Sequence, residues 1–367
     1  MTAKNPPVAM SVLDLLAMEI ARRTDDSAMH LGALLTLPGP PPSLDELTAH
    51  LRARLHTTPE LTYRAAGSGR RSRWEPDPTF DIHHHVHDHT LTQGGDARAD
   101  RMLTAVLDQP LTADRHLWGV WRIRSDNDYG LCYRAHHSFQ DGQAAIRTIE
   151  RLFGAEPHTH ATQHLTPETP VHWTAAAIKD LLPLRRTAHW SALDEPLTGR
   201  RVASTATVEL SRLHAIARAT HTSVNQVCLA AVASLLRAWH PGDFPHPDRT
   251  LRATLGISLR APHEPLPLLG NKLGAVYIPL PCGEPSALRR LDLLRTQAAF
   301  ERLAGIGRHY RALLQNLPYW CGKLGLLRSI DPRYVPLSLA DVRARRPLAF
   351  NGNPVRAVHL LPISLPG

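Results

Sequence analysis

The sequence has few cysteines, and this scarcity excludes two kinds of small protein. Only four of the 367 residues are cysteines, Cys132, Cys228, Cys282 and Cys321, and no two of them form a Cys-x-x-Cys pair. A disulfide framework and the common cysteine-rich zinc sites are therefore excluded. Scattered single cysteines are typical of a protein whose thiols stay reduced, so we expect a cytoplasmic protein.

Long apolar runs are also missing. No stretch approaches the roughly 18 apolar residues that a membrane-spanning helix requires. The N-terminal segment, with Lys4 ahead of Pro6-Pro7, lacks the charged, apolar and small-residue regions of a signal peptide. The content of 43% hydrophobic and 20% charged residues is typical of a soluble globular chain, long enough for two domains. We therefore expect no membrane-spanning helix. The form of membrane association that we expect is peripheral contact with the inner membrane.

Aromatic residues and lysines are scarce as well. Aromatic side chains make up 5% of the chain, too few for a surface on which bases stack, and the sequence has no zinc-finger spacing. We therefore expect no nucleic-acid partner. Lysine occurs only at positions 4, 179, 272 and 323, so arginine supplies nearly all of the formal net charge of +9. That charge favours an anionic partner of another kind.

The most informative segment of the chain is His136-His137-Ser138-Phe139-Gln140-Asp141-Gly142, which reads His-His-x-x-x-Asp-Gly. Residues 129–135 before it have the composition of a short strand. The apolar residues after it fall on one face of a helix; they are Ala145, Ile146, Ile149, Leu152 and Phe153. The pattern therefore predicts a strand, a turn and a helix that together hold His137 at the floor of a cleft.

These residue types suit acid–base chemistry, and we take His137, His136 and Asp141 as candidate catalytic residues. A neutral imidazole at His137 can remove a proton from an attacking hydroxyl and return it to a leaving thiolate. Asp141 can act as a second base, but we favour a structural role in which it accepts backbone N–H bonds or pairs with a distant arginine. Gly142 lets another group approach the backbone closely. The alternative is that two histidines adjoin by chance in a chain that has 23.

Four further residues are candidates for supporting roles. Arg260 ends an alternating segment and offers a planar fork that matches the Asp141 carboxylate, or it is one more surface arginine. Asn225 and Asn271 can donate to an oxyanion or to a bound substrate chain, or they are ordinary cap and turn residues. Ser138 is a candidate substrate contact, and without a Gly-x-Ser-x-Gly elbow it is not expected to be a nucleophile.

The segment His83-His84-His85-Val86-His87-Asp88-His89 invites a metal-site interpretation. In an extended strand its alternate histidines would share one face. Same-face neighbours in a strand lie too far apart, and too nearly in a line, for one tetrahedral ion to bind them all. We therefore expect no metal site and a structural role for His85.

At these residues the chain resembles the bacterial wax ester synthase/diacylglycerol acyltransferase family, which is similar to chloramphenicol acetyltransferase and to the condensation domains of peptide synthetases. The resemblance depends on several short segments in the family's order, which is more specific than any one of them. Besides the His-His-x-x-x-Asp-Gly motif they are Ser11–Asp14, Met29–Leu34, Trp74–Asp81, His85-Val86, Pro110-Leu111, Leu117-Trp118, Val224–Val227, Ile257–Arg260 and Leu269–Lys272.

The resemblance implies an α/β fold with two chloramphenicol-acetyltransferase-like domains that face each other across a cleft or tunnel. It also implies an O-acyltransferase that needs no cofactor. The donor would be acyl-CoA or an acyl carrier protein, whose phosphates the positive net charge suits, and the acceptor a long-chain alcohol or diacylglycerol. We expect an N-terminal domain over residues 1–155, a crossover linker over 156–204 and a C-terminal α/β domain over 205–367.

The sequence departs from the family pattern at a few positions. His116 replaces a proline, Gln226 replaces an aspartate, and Leu339–Ala344 stands where the family has Ser-Asn-Val-Pro-Gly. The sequence also ends at Gly367, before the closing strands that we would expect. These departures favour a specialised metabolite, polar or polycyclic, as the acceptor. The alternative from another class is a catalytically silent relative that only binds acyl ligands.

Periodicity and turn residues predict the remaining elements. Helices are expected over 11–20, 43–55, 175–182 and 224–239, and strands over 31–37, 118–123, 205–210, 251–260 and 276–280. In the helix over 224–239 the pattern predicts one buried stripe, formed by Val224, Val227, Cys228, Ala231, Leu235 and Trp239.

Overall fold

A computed structural model gives the fold for residues 6–23, 26–91, 98–107, 109–111, 117–124, 128–154, 186–194, 198–260, 266–316 and 331–364. The predicted helix over 175–182, most of the predicted linker, His116 and Cys321 lie outside these described residues. The α-helices are α1 Val12–Arg23, α2 Leu44–Arg54, α3 Arg98–Leu107, α4 Gly142–Phe153, α5 Leu210–Ala219, α6 Val224–Trp239, α7 Ala287–Gln297 and α8 Phe300–Asn316.

The strands range in length from two to nine residues. They are β1 Val8–Ala9, β2 His30–Pro38, β3 Tyr63–Ala66, β4 Arg73–Pro76, β5 Val86–Thr90, β6 Trp118–Arg124, β7 Asp128–His136, β8 Leu251–Ser258, β9 Leu273–Leu280, β10 Leu337–Ala340, β11 Ala349–Phe350, β12 Asn353–Pro354 and β13 Ala357–Leu361. The mixture of helices and sheets confirms the predicted α/β class.

The largest sheet has the strand order β13-β2-β7-β6-β5. β6 and β7 form an antiparallel hairpin, and β7 continues along β2 so that His30 pairs with His136. Leu34 and Leu35 point to opposite faces of β2 and both are fully buried, so the sheet is covered on both sides. α2 and α4 contribute to the core on one face, and α3 contributes to the core on the other.

A second sheet, β10-β8-β9, belongs to the second half of the chain. β8 confirms the predicted alternation, because Leu251, Ala253 and Leu255 are buried in a core shared with α6 while their neighbours face the other way. Among the described residues β9 pairs along β8 alone, and its Pro279 lies opposite Arg252. This agrees with the edge position that the proline indicates.

Side-chain caps begin several of the predicted helices. Ser11 Oγ accepts from the backbone N–H of Asp14, and Ser43 and Glu46 form a reciprocal capping box at α2. Ser223 and Gln226 form another at α6. The Gln226 side chain also donates to the Ala298 carbonyl at 3.0 Å. Gln226, which departs from the family pattern, therefore helps to cap the start of α6 and anchors that helix to the end of α7.

Two predictions about the second half are wrong. Residues 205–209 form no strand, and the chain enters α5 at Leu210. The predicted stripe of α6 has the wrong phase, because Leu235 and Trp239 are 65% and 62% exposed, whereas Ala233 and Leu236 are buried. Both faces of this helix carry apolar residues, so periodicity alone does not select the face that packs.

The C-terminal residues supply strands that the sequence did not lead us to expect. β11 and β12 pair with each other, and β13 joins the largest sheet along β2, with His359 opposite Leu34. The predicted C-terminal domain over 205–367 therefore needs correction at its end. Its last strand lies in the sheet formed by the first half of the chain, because β2 offers that strand a free edge for hydrogen bonding.

Candidate active site between the two halves

The turn between β7 and α4 carries the His-His-x-x-x-Asp-Gly motif, as predicted. β7 ends at His136, and Asp141 caps α4 by accepting from the Ala144 backbone N–H at 2.9 Å. The turn is joined to a segment of the second half, because the Gly270 backbone N–H donates to the Phe139 carbonyl at 2.7 Å. Residues that are distant in sequence therefore meet at the motif.

His137 is held by both of its backbone polar groups. Its N–H donates to the Met29 carbonyl at 2.7 Å, and its carbonyl accepts from Asn271 Nδ2 at 2.6 Å. Burial lowers the pKa of His137 below its usual value, although its own carbonyl, Asp141 and Asn271 act in the opposite direction. The imidazole is therefore neutral at neutral pH, which is the state that a proton acceptor requires.

Asp141 and Arg260 form a buried ion pair across the two halves. Arg260 Nε donates to both Asp141 carboxylate oxygens, at 3.0 and 2.8 Å, and the Lys272 backbone N–H donates to Oδ2 at 2.9 Å. Arg260 also donates to the carbonyls of Leu269 and Gly270. The Asp141 carboxylate is thus occupied by structural bonds, which favours the supporting role over that of a second base.

Asp14 is a residue of the site that the sequence did not mark as a candidate. Its Oδ1 accepts from the Asn271 backbone N–H at 2.7 Å and from Asn271 Nδ2 at 3.0 Å, and Oδ2 lies 3.4 Å from Trp74 Nε1. Burial raises the pKa of Asp14, and hydrogen bonds with Ser11 and Asn271 oppose the rise. The sequence signal that could have identified Asp14 is the Ser11–Asp14 segment, because this segment is one of those that resemble the family.

Gly270 makes this contact possible. Its φ is +67°, and a Cβ built there would lie 2.6 Å from Asp14 Oδ2. Gly142 has a similar function at the start of α4, where a Cβ would lie 3.3 Å from Val342 Cγ2. Val342 belongs to the segment that departs from the family motif. The close approach predicted for Gly142 is therefore made by a side chain of the second half.

His136 and Ser138 belong to a network that does not reach the cavity. His136 Nδ1 accepts from the Ser138 backbone N–H at 3.0 Å and lies 2.6 Å from its hydroxyl oxygen. His136 Nε2 lies 3.5 Å from Asp26, which also binds His30 at 2.9 Å. The geometry therefore gives both residues structural roles, in place of the catalytic and substrate-binding roles predicted for them.

A cavity of about 770 Å³ lies between the halves and reaches His137. Its apolar wall comes from α1, β2, α4 and the C-terminal residues; it includes Leu13, Ile20, Leu31, Ile146, Ile149 and Leu361. Its more polar wall comes from β8, β9 and the segment around β10; it includes Thr254, Ser258, Asn271, Ser338 and Asp341. A cavity with this lining can hold an apolar chain and a polar group within reach of His137.

Asn225 lies elsewhere. It belongs to the first turn of α6 and is not part of the cavity lining, so the structure does not bring it to His137.

His85 is buried, its Nδ1 lies 2.9 Å from the Trp118 carbonyl oxygen, and its ring stacks on Trp118. The residues before it form a 3₁₀ turn, so the histidines of this segment do not share one strand face.

In the described ranges, no helix is both long and apolar enough to cross a membrane. Within the same ranges, no group of three or more histidine, cysteine, aspartate or glutamate side chains is placed to hold a metal ion.

Comparison with known proteins identifies the class of this site. The family model described as the wax ester synthase/diacylglycerol acyltransferase catalytic domain matches residues 10–180. The chain is 25% identical over 382 residues to the probable diacylglycerol O-acyltransferase tgs1 of Mycobacterium tuberculosis, covering 92% of this chain and 81% of that protein. The protein is thus an acyltransferase that joins an acyl group to a hydroxyl acceptor as an ester.

Solved structures show the same fold. The wax ester synthase/diacylglycerol acyltransferase from Marinobacter aquaeolei aligns with a TM-score of 0.64 and 21% identity, over 96% of this chain and 86% of that one. The starter condensation domain of rhizomide synthetase in complex with C8-CoA aligns with a TM-score of 0.57 and 16% identity, over 98% and 84%. The predicted resemblance and the two-domain α/β fold are therefore confirmed.

Proposed function

We propose that the acyl donor is acyl-CoA, or an acyl carrier protein that presents the same pantetheine arm, and that His137 is the general base. The observation that carries the proposal is the position of His137 in the wall of a cavity between the halves, with both backbone groups bonded and with a lowered pKa. The C8-CoA complex of the condensation domain supports a CoA thioester as donor. The net charge of +9 suits its phosphates.

In the proposed reaction, neutral His137 accepts the proton of the acceptor hydroxyl while the hydroxyl oxygen attacks the thioester carbonyl. The C–O bond forms, the C–S bond breaks, and the imidazolium returns the proton to the departing thiolate. The products are an ester and a free thiol, so the thioester is a co-substrate and no cofactor is consumed. Asp141 keeps the turn in place through Arg260.

For the acceptor we propose a polar or polycyclic alcohol in preference to hexadecanol or diacylglycerol. The wall formed by β8, β9 and the segment around β10 supports this choice, because it places Ser258, Ser338 and Asp341 among apolar residues such as Leu337 and Leu339. Apolar contact stabilises a bound chain by about 0.8 kcal/mol per methylene, so polar wall residues disfavour a long alkyl acceptor. A catalytically silent acyl-binding protein is the alternative. Cytoplasmic location and peripheral contact with the inner membrane remain part of the proposal.

The proposal is tested by incubating the protein with palmitoyl-CoA and a panel of alcohols, and by measuring ester by mass spectrometry and thiol release. His137→Ala should lower kcat/KM by about two to four orders of magnitude. The wild-type pH profile should show an acid limb with its midpoint below 6.5, since burial lowers the pKa of His137.

A matched control is His84→Ala, which removes a histidine side chain that is 60% exposed and lies outside the cavity. It should leave kcat/KM unchanged. Near-wild-type turnover by His137→Ala would exclude the base. Tight binding of palmitoyl-CoA without any ester product would support the silent alternative, and faster esterification of hexadecanol than of every short or polycyclic alcohol would exclude the proposed acceptor class.

A further inference from the structure

A buried chain of side-chain hydrogen bonds lies behind the active-site turn. Tyr133 Oη donates to Gln140 Oε1 at 2.6 Å, and Gln140 Nε2 donates to Thr148 Oγ1 at 2.8 Å. The Thr148 hydroxyl in turn donates to Glu60 Oε1 at 3.0 Å. All four side chains are fully buried, and none of them belongs to the described lining of the cavity. They therefore have no direct contact with a substrate in the cavity.

The same hydrogen bonds reach the backbone of Leu268, which belongs to the second half of the chain. Gln140 Nε2 donates to the Leu268 carbonyl at 3.1 Å, and because a carbonyl can only accept, this contact fixes the orientation of the amide. The Leu268 backbone N–H donates to Glu60 Oε2 at 3.4 Å. Both backbone polar groups of Leu268 are therefore bonded to side chains of the first half.

The segment 268–272 is held at its two ends by neighbouring residues of the turn. Gln140 bonds the first residue of the segment, and the Asp141 carboxylate accepts from the backbone N–H of the last at 2.9 Å. Between these ends, Asn271 Nδ2 donates to the His137 carbonyl at 2.6 Å. The other N–H of this amide is bonded as well, so the amide does not serve as the oxyanion donor that the sequence suggested. The segment thus connects Gln140 to the amide that holds His137.

We propose that Gln140 and Glu60 are positioning residues for His137, because they fix the end of the segment that carries Asn271. This inference depends on the proposed function, in which His137 is the base. A displacement of about 1 Å at a catalytic group can reduce the rate by about a hundredfold, so the loss of either anchor lowers kcat. The binding of palmitoyl-CoA should change little, because neither side chain lines the cavity.

The test measures kcat and KM for ester formation from palmitoyl-CoA and the alcohol with the highest turnover, at a temperature at which each variant is folded by circular dichroism. Gln140→Met and Glu60→Met keep the length of the side chain and remove its polar atoms. Each should lower kcat by about ten- to a hundredfold and leave KM nearly unchanged. Gln140→Asn has a shorter amide and Glu60→Gln keeps one acceptor oxygen, so these milder variants should lose less of kcat. They decide the test if a methionine variant does not fold.

The matched control is Gln226→Met, which makes the same change at another buried glutamine. Gln226 is 6% exposed, its Nε2 donates to the Ala298 carbonyl at 3.0 Å, and it lies outside the cavity lining. This variant should lower Tm, as Gln140→Met does, but leave kcat unchanged. An equal loss of kcat in the two variants would show a general effect of lower stability and would overturn the inference.

A double-mutant cycle tests whether Gln140 acts through Asn271. Asn271→Ala should lower kcat by itself, and Gln140→Met should lower kcat little further in that background. Losses that multiply, or a wild-type kcat in the folded variants at Gln140 or Glu60, would contradict the positioning role. In these cases ester formation by the wild type and its loss in His137→Ala would leave the proposed function standing. If the wild type forms no ester from any alcohol, both proposals fail.

Discussion

At the level of single residues, the position of His137 depends on side chains that never touch a substrate. Asp14 orients the Asn271 amide, and Asn271 Nδ2 holds the His137 carbonyl at 2.6 Å. A displacement of about 1 Å at a catalytic group can reduce the rate by about a hundredfold. Asp14 is thus a positioning residue, and its removal should affect activity as well as stability.

We predict that Asp14→Ala lowers kcat/KM by about ten- to a hundredfold and the free energy of unfolding by about 1–3 kcal/mol. The reason is that the donors from Ser11, Asn271 and Trp74 lose their acceptor. Urea denaturation and steady-state kinetics measure the two effects. The control, Asp45→Ala, removes an exposed carboxylate of α2 and should change neither. Wild-type kcat/KM in Asp14→Ala would exclude the positioning role.

At the level of elements, the start of α4 and the end of β8 are joined by one ion pair. Asp141 caps the helix, and Arg260 follows the strand, so their contact fixes the turn that carries His137 against the second half. Both side chains are buried. Removing one partner of a buried pair leaves a charge without compensation, which costs about 3–5 kcal/mol.

Asp141→Asn and Arg260→Ala should each lower the free energy of unfolding by about 3–5 kcal/mol, and both should lower kcat/KM. The double variant should lose clearly less than the sum, because each change breaks the same pair. A double-mutant cycle by urea denaturation measures the coupling. Effects that add to within about 0.5 kcal/mol would show that the two residues do not stabilise each other.

At the level of the whole molecule, a buried network behind the active-site turn makes stability depend on pH. His30 lies between Asp26, at 2.9 Å, and Arg134 Nη2, at 2.8 Å. Burial lowers the pKa of His30 to about 4, against the opposing hydrogen bond to Asp26. Hydrogen bonds from His136 and His30 lower the pKa of Asp26.

The folded pKa of His30 lies below its unfolded value of about 6.5, so its contribution is fully present above pH 6.5 and is lost as the pH falls toward 4. We predict that the free energy of unfolding falls by up to about 3 kcal/mol over this interval. The pKa values of Asp14 and Glu60 are raised in the folded state, so the folded protein binds these protons more readily than the unfolded chain does. Their protonation therefore opposes the loss of stability near pH 4.

Urea denaturation at pH 7, 5.5 and 4.5 measures this dependence. His30→Gln keeps a donor and an acceptor but does not titrate, so its stability should change less between these values. An equal change in the variant and the wild type would show that the acid sensitivity has another origin.

The sequence by itself determined the local frame of the site. The strand, turn and helix around His137, the helices that begin near Ser11, Ser43 and Val224, and the alternating strand β8 all follow from patterns a few residues long. Such patterns can be recognised because backbone geometry repeats every two residues in a strand and every 3.6 in a helix. The family-like motifs added the α/β class and the acyltransferase chemistry.

Only the tertiary structure decided which side chains meet and which face outward. Asp14 and Asn271 are 257 positions apart, and their contact is made by a carboxylate that also serves as a helix cap, so no local pattern marks it. The face of α6 that packs and the sheet that β13 joins depend in the same way on distant partners. Periodicity describes an element on its own, whereas burial and hydrogen-bond satisfaction are properties of the assembled chain.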